Sequence, residues 1–456
     1  MTTITQYSLA VLLLGYALFG RAMAYFGFSP VYIGEIILVI GMIYILTHAE
    51  WKKLIKLGVF RWLLLFMIWG AVRTFPYLAH YGKDALRDGA SWGYGLFAII
   101  IATLMIRTAT QVQVIKWYRN VSLLFSIWIP LAIILMLFFS DKIPYVPWGP
   151  IEGIPFISLK GGDIAVHLSG MLAFYYFVLP HYSFRRFILL FWNAWLFCFI
   201  FIGVTGRAAF LTVSSTALVT VYKLGHEKWI KWISLAMLVV IILLFFEIEI
   251  DTGQERVISF GQLITNVKSI FGEVEGFSGE GSKMWRIMWW QKIINYTFFG
   301  EYFWTGKGFG INLADDDGFQ VLADSALRSP HNGHLTFLAR AGVPGFILWI
   351  SLQLSFATSL WQSYRRLNKR GYSQDAAIFI WIIIYWLAFI INGAFDVFLE
   401  GPQGGIWFWS LMGFGLSLVY VERQLPDFGV APECFPPPFR VLIDQCELNN
   451  AHISCS

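Results

Sequence analysis

Charge is scarce in this chain. Only 13% of its 456 residues are Asp, Glu, Lys or Arg, about half the ~25% of an ordinary soluble domain. That excludes a conventional water-soluble fold. Cysteine is nearly absent as well. Cys198 lies inside an apolar run, and Cys434, Cys446 and Cys455 fall in the last, polar stretch. If that stretch is cytoplasmic, as argued below, disulfides are not expected. The signs of a cleavable leader are also missing. Met1–Gln6 has no basic region, and no small-residue cleavage site follows the apolar run Leu9–Gly20. That run is expected to remain as a membrane anchor. The net charge of +5 calls for no nucleic-acid partner, because membrane topology accounts better for where the basic residues fall.

What the chain has instead is apolar length. Hydrophobic residues make up 57% of it, gathered in runs of about 17–22 residues, the length that crosses a bilayer as a helix. Trp, Tyr and Phe collect at the ends of these runs, as interfacial belts do. The fold class read from this is an all-α polytopic membrane protein. About twelve transmembrane helices are expected, near 7–20, 31–47, 58–72, 91–106, 121–139, 164–180, 187–204, 207–222, 230–247, 335–359, 376–392 and 405–421. One membrane domain then spans 1–422. It includes a long loop, 248–334, that contains short helices, and a tail, 423–456, is expected to be disordered.

Orientation follows from the basic residues. Lys52, Lys53 and Lys56, then Arg107, Lys116 and Arg119, then Arg185 and Arg186, then Lys223, Lys228 and Lys231, then Arg365, Arg366, Lys369 and Arg370 all fall on one side. By the positive-inside rule that side is cytoplasmic, and both termini lie with it. The long loop 248–334 is then outward.

Four outward segments carry the polar chemistry. In Arg73–Ser91, Lys83 and Arg87, like Asp84 and Asp88, are one helical turn apart. This reads either as a solvated ion network or as a basic rim facing lipid phosphate. Ser140–Asp163 is rich in Pro and Gly and should be an irregular, fairly rigid loop. His167, just inside the next span, reads as a satisfied interior histidine. The turn Gly203–Gly206 ends in Arg207. The loop 248–334 starts with acidic and polar residues (Glu247, Glu249, Asp251, Glu255, Arg256) and has a Gly/Ser hinge at Gly276–Ser282. It continues with Met284–Phe299, where Trp285, Trp289, Trp290, Arg286 and Lys292 suit a helix lying at the membrane surface. Gly306–Gly310 lacks the full phosphate-loop spacing and reads as a flexible loop. Asp315–Asp317 could in principle hold a divalent cation through oxygen ligands, but such a run on a loop is usually just solvated.

Two stretches stand out. Arg207 opens an apolar helix, Gly206–Leu211, where the helix dipole disfavours a cation. Either it snorkels to the headgroups, or it joins the free helix N–H groups in binding an anion such as a pyrophosphate. The second stretch is Ser329-Pro330-His331-Asn332-Gly333-His334. Ser329 can cap a helix and Pro330 suits its first turn. His331 then falls in that turn, where the positive helix end favours an imidazole that accepts a proton. The plainer reading is a helix start with an incidental histidine. His331 and His334 lack an obvious third ligand for zinc.

With these motifs, the chain resembles the O-antigen ligase and polymerase family of bacterial inner-membrane proteins. The family's Arg, followed after three residues by Leu, is matched by Arg207 and Leu211. Its His–Asn/Ser/Gln pair, then nine residues, Gly, two residues and Gly/Thr/Tyr, is matched by His331-Asn332, Gly333 to Ala341, Gly342 and Gly345. An Arg ahead of a Trp, leading into a Gly-rich strip, is matched more loosely by Arg286, Trp289 and Gly306–Gly310. The likeness is best over about 190–350.

The resemblance implies a metal-independent glycosyltransferase with no cofactor, multi-pass in the inner membrane, with its active site facing the periplasm. Its donor is a glycan on undecaprenyl pyrophosphate. Its acceptor is a hydroxyl of the lipid A core (a ligase) or of another lipid-linked glycan (a polymerase), in lipopolysaccharide or exopolysaccharide biosynthesis. Membrane lipids are its surroundings, and no nucleic acid takes part. On this view His331 is the general base. Arg207, Arg286 and Arg87 face the pyrophosphate, in that order of preference, and Asn332 and His334 orient His331 or the acceptor. The rival reading, a transporter or flippase for a lipid-linked glycan, predicts inverted repeats and broken spans near the midplane. No clear repeat is visible.

Overall fold

The computed structural model describes residues 2–28, 31–106, 108–147, 153–179, 188–224, 249–250, 258–271 and 279–425. Outside them lie the expected span 230–247, Arg107, Arg185, Arg186, Lys228 and Lys231. Most of the loop's polar start, the first part of Gly276–Ser282 and the tail from 426, with its three cysteines, also lie outside.

Apolar runs become helices because only a helix satisfies its own backbone groups in lipid. In chain order these are α1 (Thr2–Phe19), α2 (Arg21–Ala24), α3 (Ile33–His48), α4 (Trp51–Leu54), α5 (Gly58–Tyr81), α6 (Lys83–Gly93), α7 (Gly95–Leu104) and α8 (Thr108–Phe138). Then come α9 (Gly161–Ala173), continued by a π-helical turn at Phe174–Val178, α10 (Ile188–Thr205) and α11 (Arg207–Leu224). The outer region holds α12 (Phe260–Phe271), α13 (Gly279–Phe298) and α14 (Leu313–Asp317). Long helices α15 (Gly333–Lys369), α16 (Ser373–Gly393) and α17 (Pro402–Glu422) close the chain. Extended structure among the described residues is limited to two short antiparallel hairpins and two isolated bridges.

The expected spans other than 230–247 overlap these helices, with 91–106 straddling α6 and α7. Six described helices are long and apolar enough to cross a membrane: α1, α5, α8, α15, α16 and α17. Three more, α3, α7 and α10, are apolar but shorter. The centre of the bundle is α17 packed on α7, flanked by α16, which packs on α15, α9 and α11.

The two ends of this bundle differ. At one end Lys223 of α11 lies 4.1 Å over the Trp361 ring of α15, and Arg366 of α15 pairs with Glu422 of α17 at 2.5 Å. The basic ends of α11 and α15 therefore meet the end of α17. At the other end α9, α11 and α15 begin and α16 ends. Gly161 of α9 abuts Thr205 and Ala209, on either side of Arg207, Gly162 abuts Asn392 of α16, and Gly333 of α15 abuts Gly393. The polar chemistry collects at this second end.

The Gly-rich strip owes its place to a break in α15. Gly342 has φ 70°, ψ −176°, so the helix ladder is interrupted there. A side chain at 342 would be strained in that conformation and would also strike the carbonyl of Phe303. The freed carbonyls are taken by the strip: Lys307 N donates to Ala339 O (2.7 Å), and Gly308 N to Arg340 O (2.9 Å). Val343 N returns a bond to Phe303 O at 2.8 Å. The strip is thus a fixed backbone clamp on α15 rather than the flexible loop expected from its glycines.

Lys307 is driven under α13 by the same clamp. Its ammonium pairs with Asp316 and, at 2.6 Å, with Asp317. The Asp317 carboxylate also accepts from Trp289 Nε1 (2.7 Å) and Tyr296 OH (3.4 Å). Two of the three carboxylates in the acidic run are therefore spent on packing. Burial opposes the Lys307 charge, but both carboxylates hold its pKa above the ordinary value. Asp317→Ala strips a buried partner, which typically costs about 3–5 kcal/mol. Thermal unfolding in detergent should show a midpoint lower by several degrees. An unchanged midpoint would mean that the pair does not carry the packing of α13.

Candidate functional site

His331 is not in a helix. Asn332 is the N-cap of α15, its Oδ1 accepting from His334 N and Leu335 N at 3.1 Å each. Ser329 and Pro330 precede the helix rather than start it, which corrects the expected cap. Trp290 Nε1 of α13 donates to Pro330 O at 2.8 Å. Ser329 is tied to Glu400, which also accepts from Thr336 Oγ1 at 2.7 Å. These ties fix the segment up to His331, which itself takes φ 54°. Such a backbone costs of order 1–3 kcal/mol in a non-glycine residue and persists only where the surroundings over-determine it.

The imidazole so presented is about a third exposed and faces a carboxylate. His331 Nδ1 lies 3.8 Å from Asp396 Oδ1, too long for a direct hydrogen bond. The Trp285 ring stands edge-on at 6.3 Å on another side. Burial alone would raise the Asp396 carboxyl, but His331, Lys160 and the Val397 N–H together hold it below the ordinary range. It is thus a standing negative charge beside Nδ1.

Arg286 comes to the same place from α13. Its Nη1 donates to Phe395 O at 3.0 Å, the residue before Asp396, while its buried Nε has no partner among the described residues. Burial lowers the Arg286 pKa, the attraction of Asp396 raises it, and repulsion by Arg207 lowers it again. Arg207 is therefore within electrostatic reach. Its Nη1 also donates to Ser269 Oγ of α12 at 3.3 Å. Arg286 thus comes up to the His–Asp pair, and Arg207 repels it from within electrostatic reach. An anion placed between the guanidiniums would relieve that repulsion.

Residues 192–350 match the family model of the O-antigen ligases. The segment is of the O-antigen ligase/polymerase family. No curated protein matches the chain. The O-antigen ligase segment takes in Arg207, Arg286, His331, Asn332 and His334 but ends before Asp396. Its family works by ligase- or polymerase-type glycosyl transfer between a lipid-linked glycan and an acceptor. With six helices long and apolar enough to cross a membrane among the described residues, the chain is a multi-pass membrane protein.

Not every residue singled out in the sequence joins this site. Arg87 lies in a separate cluster. It is 56% exposed and 3.4 Å from Asp84. Burial and Arg328 lower its pKa, and Asp88 and Asp84 raise it. Asp88 in turn is clasped by Arg328 (2.9 Å), Arg340 (3.0 Å) and the Gly310 N–H (3.0 Å), so α6 is bolted to the Gly-rich strip. No contact among the described residues joins Arg87 to Arg207 or Arg286.

His334 does not orient His331 either. Its Nδ1 accepts from Trp349 Nε1 at 3.0 Å, so Nε2 carries the proton and donates to Ile390 O at 3.0 Å. Both nitrogens are consumed in packing α15 on α16. Asn332 is occupied as the helix cap. His167 pairs with Tyr385 OH at 2.6 Å inside the bundle. Among the described residues, no three His, Cys, Asp or Glu side chains form a metal site.

The main omission from sequence reasoning is Asp396. Its one local signal is an acid in a short connection, 394–401, between two strongly apolar helices. Glu400 lies in the same connection and Trp290 in the Trp-rich segment, but nothing in the sequence ties either to the His331 loop.

Proposed function

We propose that the chain transfers a glycan from an undecaprenyl-pyrophosphate carrier to a sugar hydroxyl at the periplasmic face. The observation that carries this reading is Arg286 reaching the connection that holds Asp396 beside His331, with Arg207 in electrostatic reach of Arg286. Asp396 faces Nδ1 and favours the tautomer that leaves Nε2 free to accept a proton. The acceptor hydroxyl gives its proton to Nε2 as its oxygen attacks the anomeric carbon of the donor sugar. The bond from that carbon to the pyrophosphate oxygen breaks, and the lipid pyrophosphate leaves with the bonding electrons. Arg207 and Arg286 meet the charge developing on it. Fixed cations aimed at developing charge need no reorganisation during the reaction. The basic helix ends meet at the opposite end of the bundle, which supports the outward placement of this site.

The test is reconstitution of the purified chain with a polyprenyl-pyrophosphate-linked glycan and a glycan acceptor. Bond exchange should proceed with no added nucleotide or ion gradient, releasing one lipid pyrophosphate per glycan joined. Movement of the intact donor across the bilayer without bond exchange would instead establish the transporter reading.

A further inference from the structure

Next to the two arginines lies a helix end with unused hydrogen-bond donors. Lys160 immediately precedes α9, and its backbone N–H donates to Asp163 Oδ2 at 3.0 Å. The first helical bond runs from Ile164 N to Lys160 O. Among the described residues, the N–H groups of Gly161 and Gly162 therefore have no acceptor, as expected at a helix start. The α9 dipole adds partial positive charge there.

A second observation at the same spot is independent of the helix end. Asn392 is fully buried, and among the described residues neither its Nδ2 nor its Oδ1 has a partner. It lies against Gly162, where a β-carbon would come within 2.8 Å of Nδ2. Glycine at 162 is what lets the amide approach the helix end. Leaving a buried amide unsatisfied typically costs about 1–3 kcal/mol, so a group that accepts from it would be bound with that much less penalty.

The location ties these donors to the reacting groups. Gly161 abuts Thr205 and Ala209, which flank Arg207. Asp396 follows Asn392 by one turn, its N–H donating to Asn392 O at 3.1 Å. The exposed Lys160 ammonium interacts electrostatically with both Asp396 and Asp163, so it is held at this edge of the site. Lys160, Arg207 and Arg286 together outnumber the two carboxylates. The surplus is positive before any anion enters.

We propose that Lys160, with the amino end of α9 and the Asn392 amide, is a third binding element for the leaving pyrophosphate, beside Arg207 and Arg286. This rests on the function proposed above. The division of labour is chemical. The guanidiniums offer planar two-pronged contacts, while a lysine at the rim offers a mobile point charge that can follow the anion as it departs.

The test uses the full chain in lipid nanodiscs, with inorganic pyrophosphate as inhibitor of glycan transfer. Lys160→Met should raise the inhibition constant for pyrophosphate and the KM for the lipid-linked donor about tenfold, the effect of losing one charge-assisted contact. The acceptor KM should stay put, and Lys160→Arg should recover most of the loss. Gly162→Ala, which pushes Asn392 aside, should shift the same two constants in the same direction. Pyrophosphate inhibition unchanged in both Lys160→Met and Gly162→Ala, while Arg207→Lys weakens it, would overturn the proposal and leave the function standing. Absence of transfer by the unaltered chain would instead remove the reading on which the proposal rests. Because the probe lacks a lipid tail, inhibition by it also shows that the site recognises the headgroup itself.

Discussion

His331→Ala should lower glycan transfer by about 10²–10⁴-fold, the range of general-base help, while the protein still inserts in the membrane and unfolds near its normal midpoint. The two halves of that expectation come from different observations. The rate falls because Nε2 is the free basic atom at the site, with Nδ1 turned to Asp396. Stability is little affected because the loop is held by other residues: Trp290 on Pro330, Glu400 on Ser329 and Thr336, and the Asn332 cap. Asp396→Asn should lower the rate on the order of 10²-fold, the lower end of the same range, because the amide keeps the shape but not the charge. Transfer measured with purified variants at saturating donor would decide. Near-normal product from His331→Ala would remove the base assignment.

Arg207→Lys should cost on the order of 10²–10³-fold in transfer, the typical loss when one preorganised donor to a developing oxyanion is removed. Lysine keeps the charge, so a charge-only role would survive the change. A planar fork bonding two oxygens of one phosphate would not. Arg207 is the cleaner of the two arginines to alter. Arg286 also supports the Phe395 carbonyl, so its loss would disturb Asp396 as well. Arg207 Nη1 donates to the Ser269 hydroxyl, away from the His331 loop. Full activity in the lysine variant would instead identify Arg207 as a residue that merely reaches for headgroups.

Sequence patterns reached as far as local rules reach. Apolar length located the helices, because in lipid the helix is nearly forced. The His331–Gly342 spacing was legible, and its physical content is a helix cap followed three turns later by a break that only glycine fits. The cap itself was misplaced from Ser329 to Asn332. Both residue types cap equally well, and the choice was made by Trp290 and Glu400, distant in sequence. Arg87 shows the same limit. Its one-turn ion network was visible, whereas the partners of Asp88 are Arg328 and Arg340, from the far side of the outer loop. Asp396 has no spacing relation to His331. Only the packing of α15 against α16 brings them together.

One helix, α13, carries both Arg286 and Trp290, a single turn apart, roughly 6 Å along its axis. In the proposed mechanism the first faces the leaving group, and the second holds the loop of the base. The separation between proton acceptor and phosphate is thus gauged by one rigid rod, not by the path of the surrounding loops. Residues at the outer surface, where a growing or incoming sugar chain would pass, can drift without altering that separation. Diversity of glycan and constancy of chemistry are then assigned to different parts of the molecule.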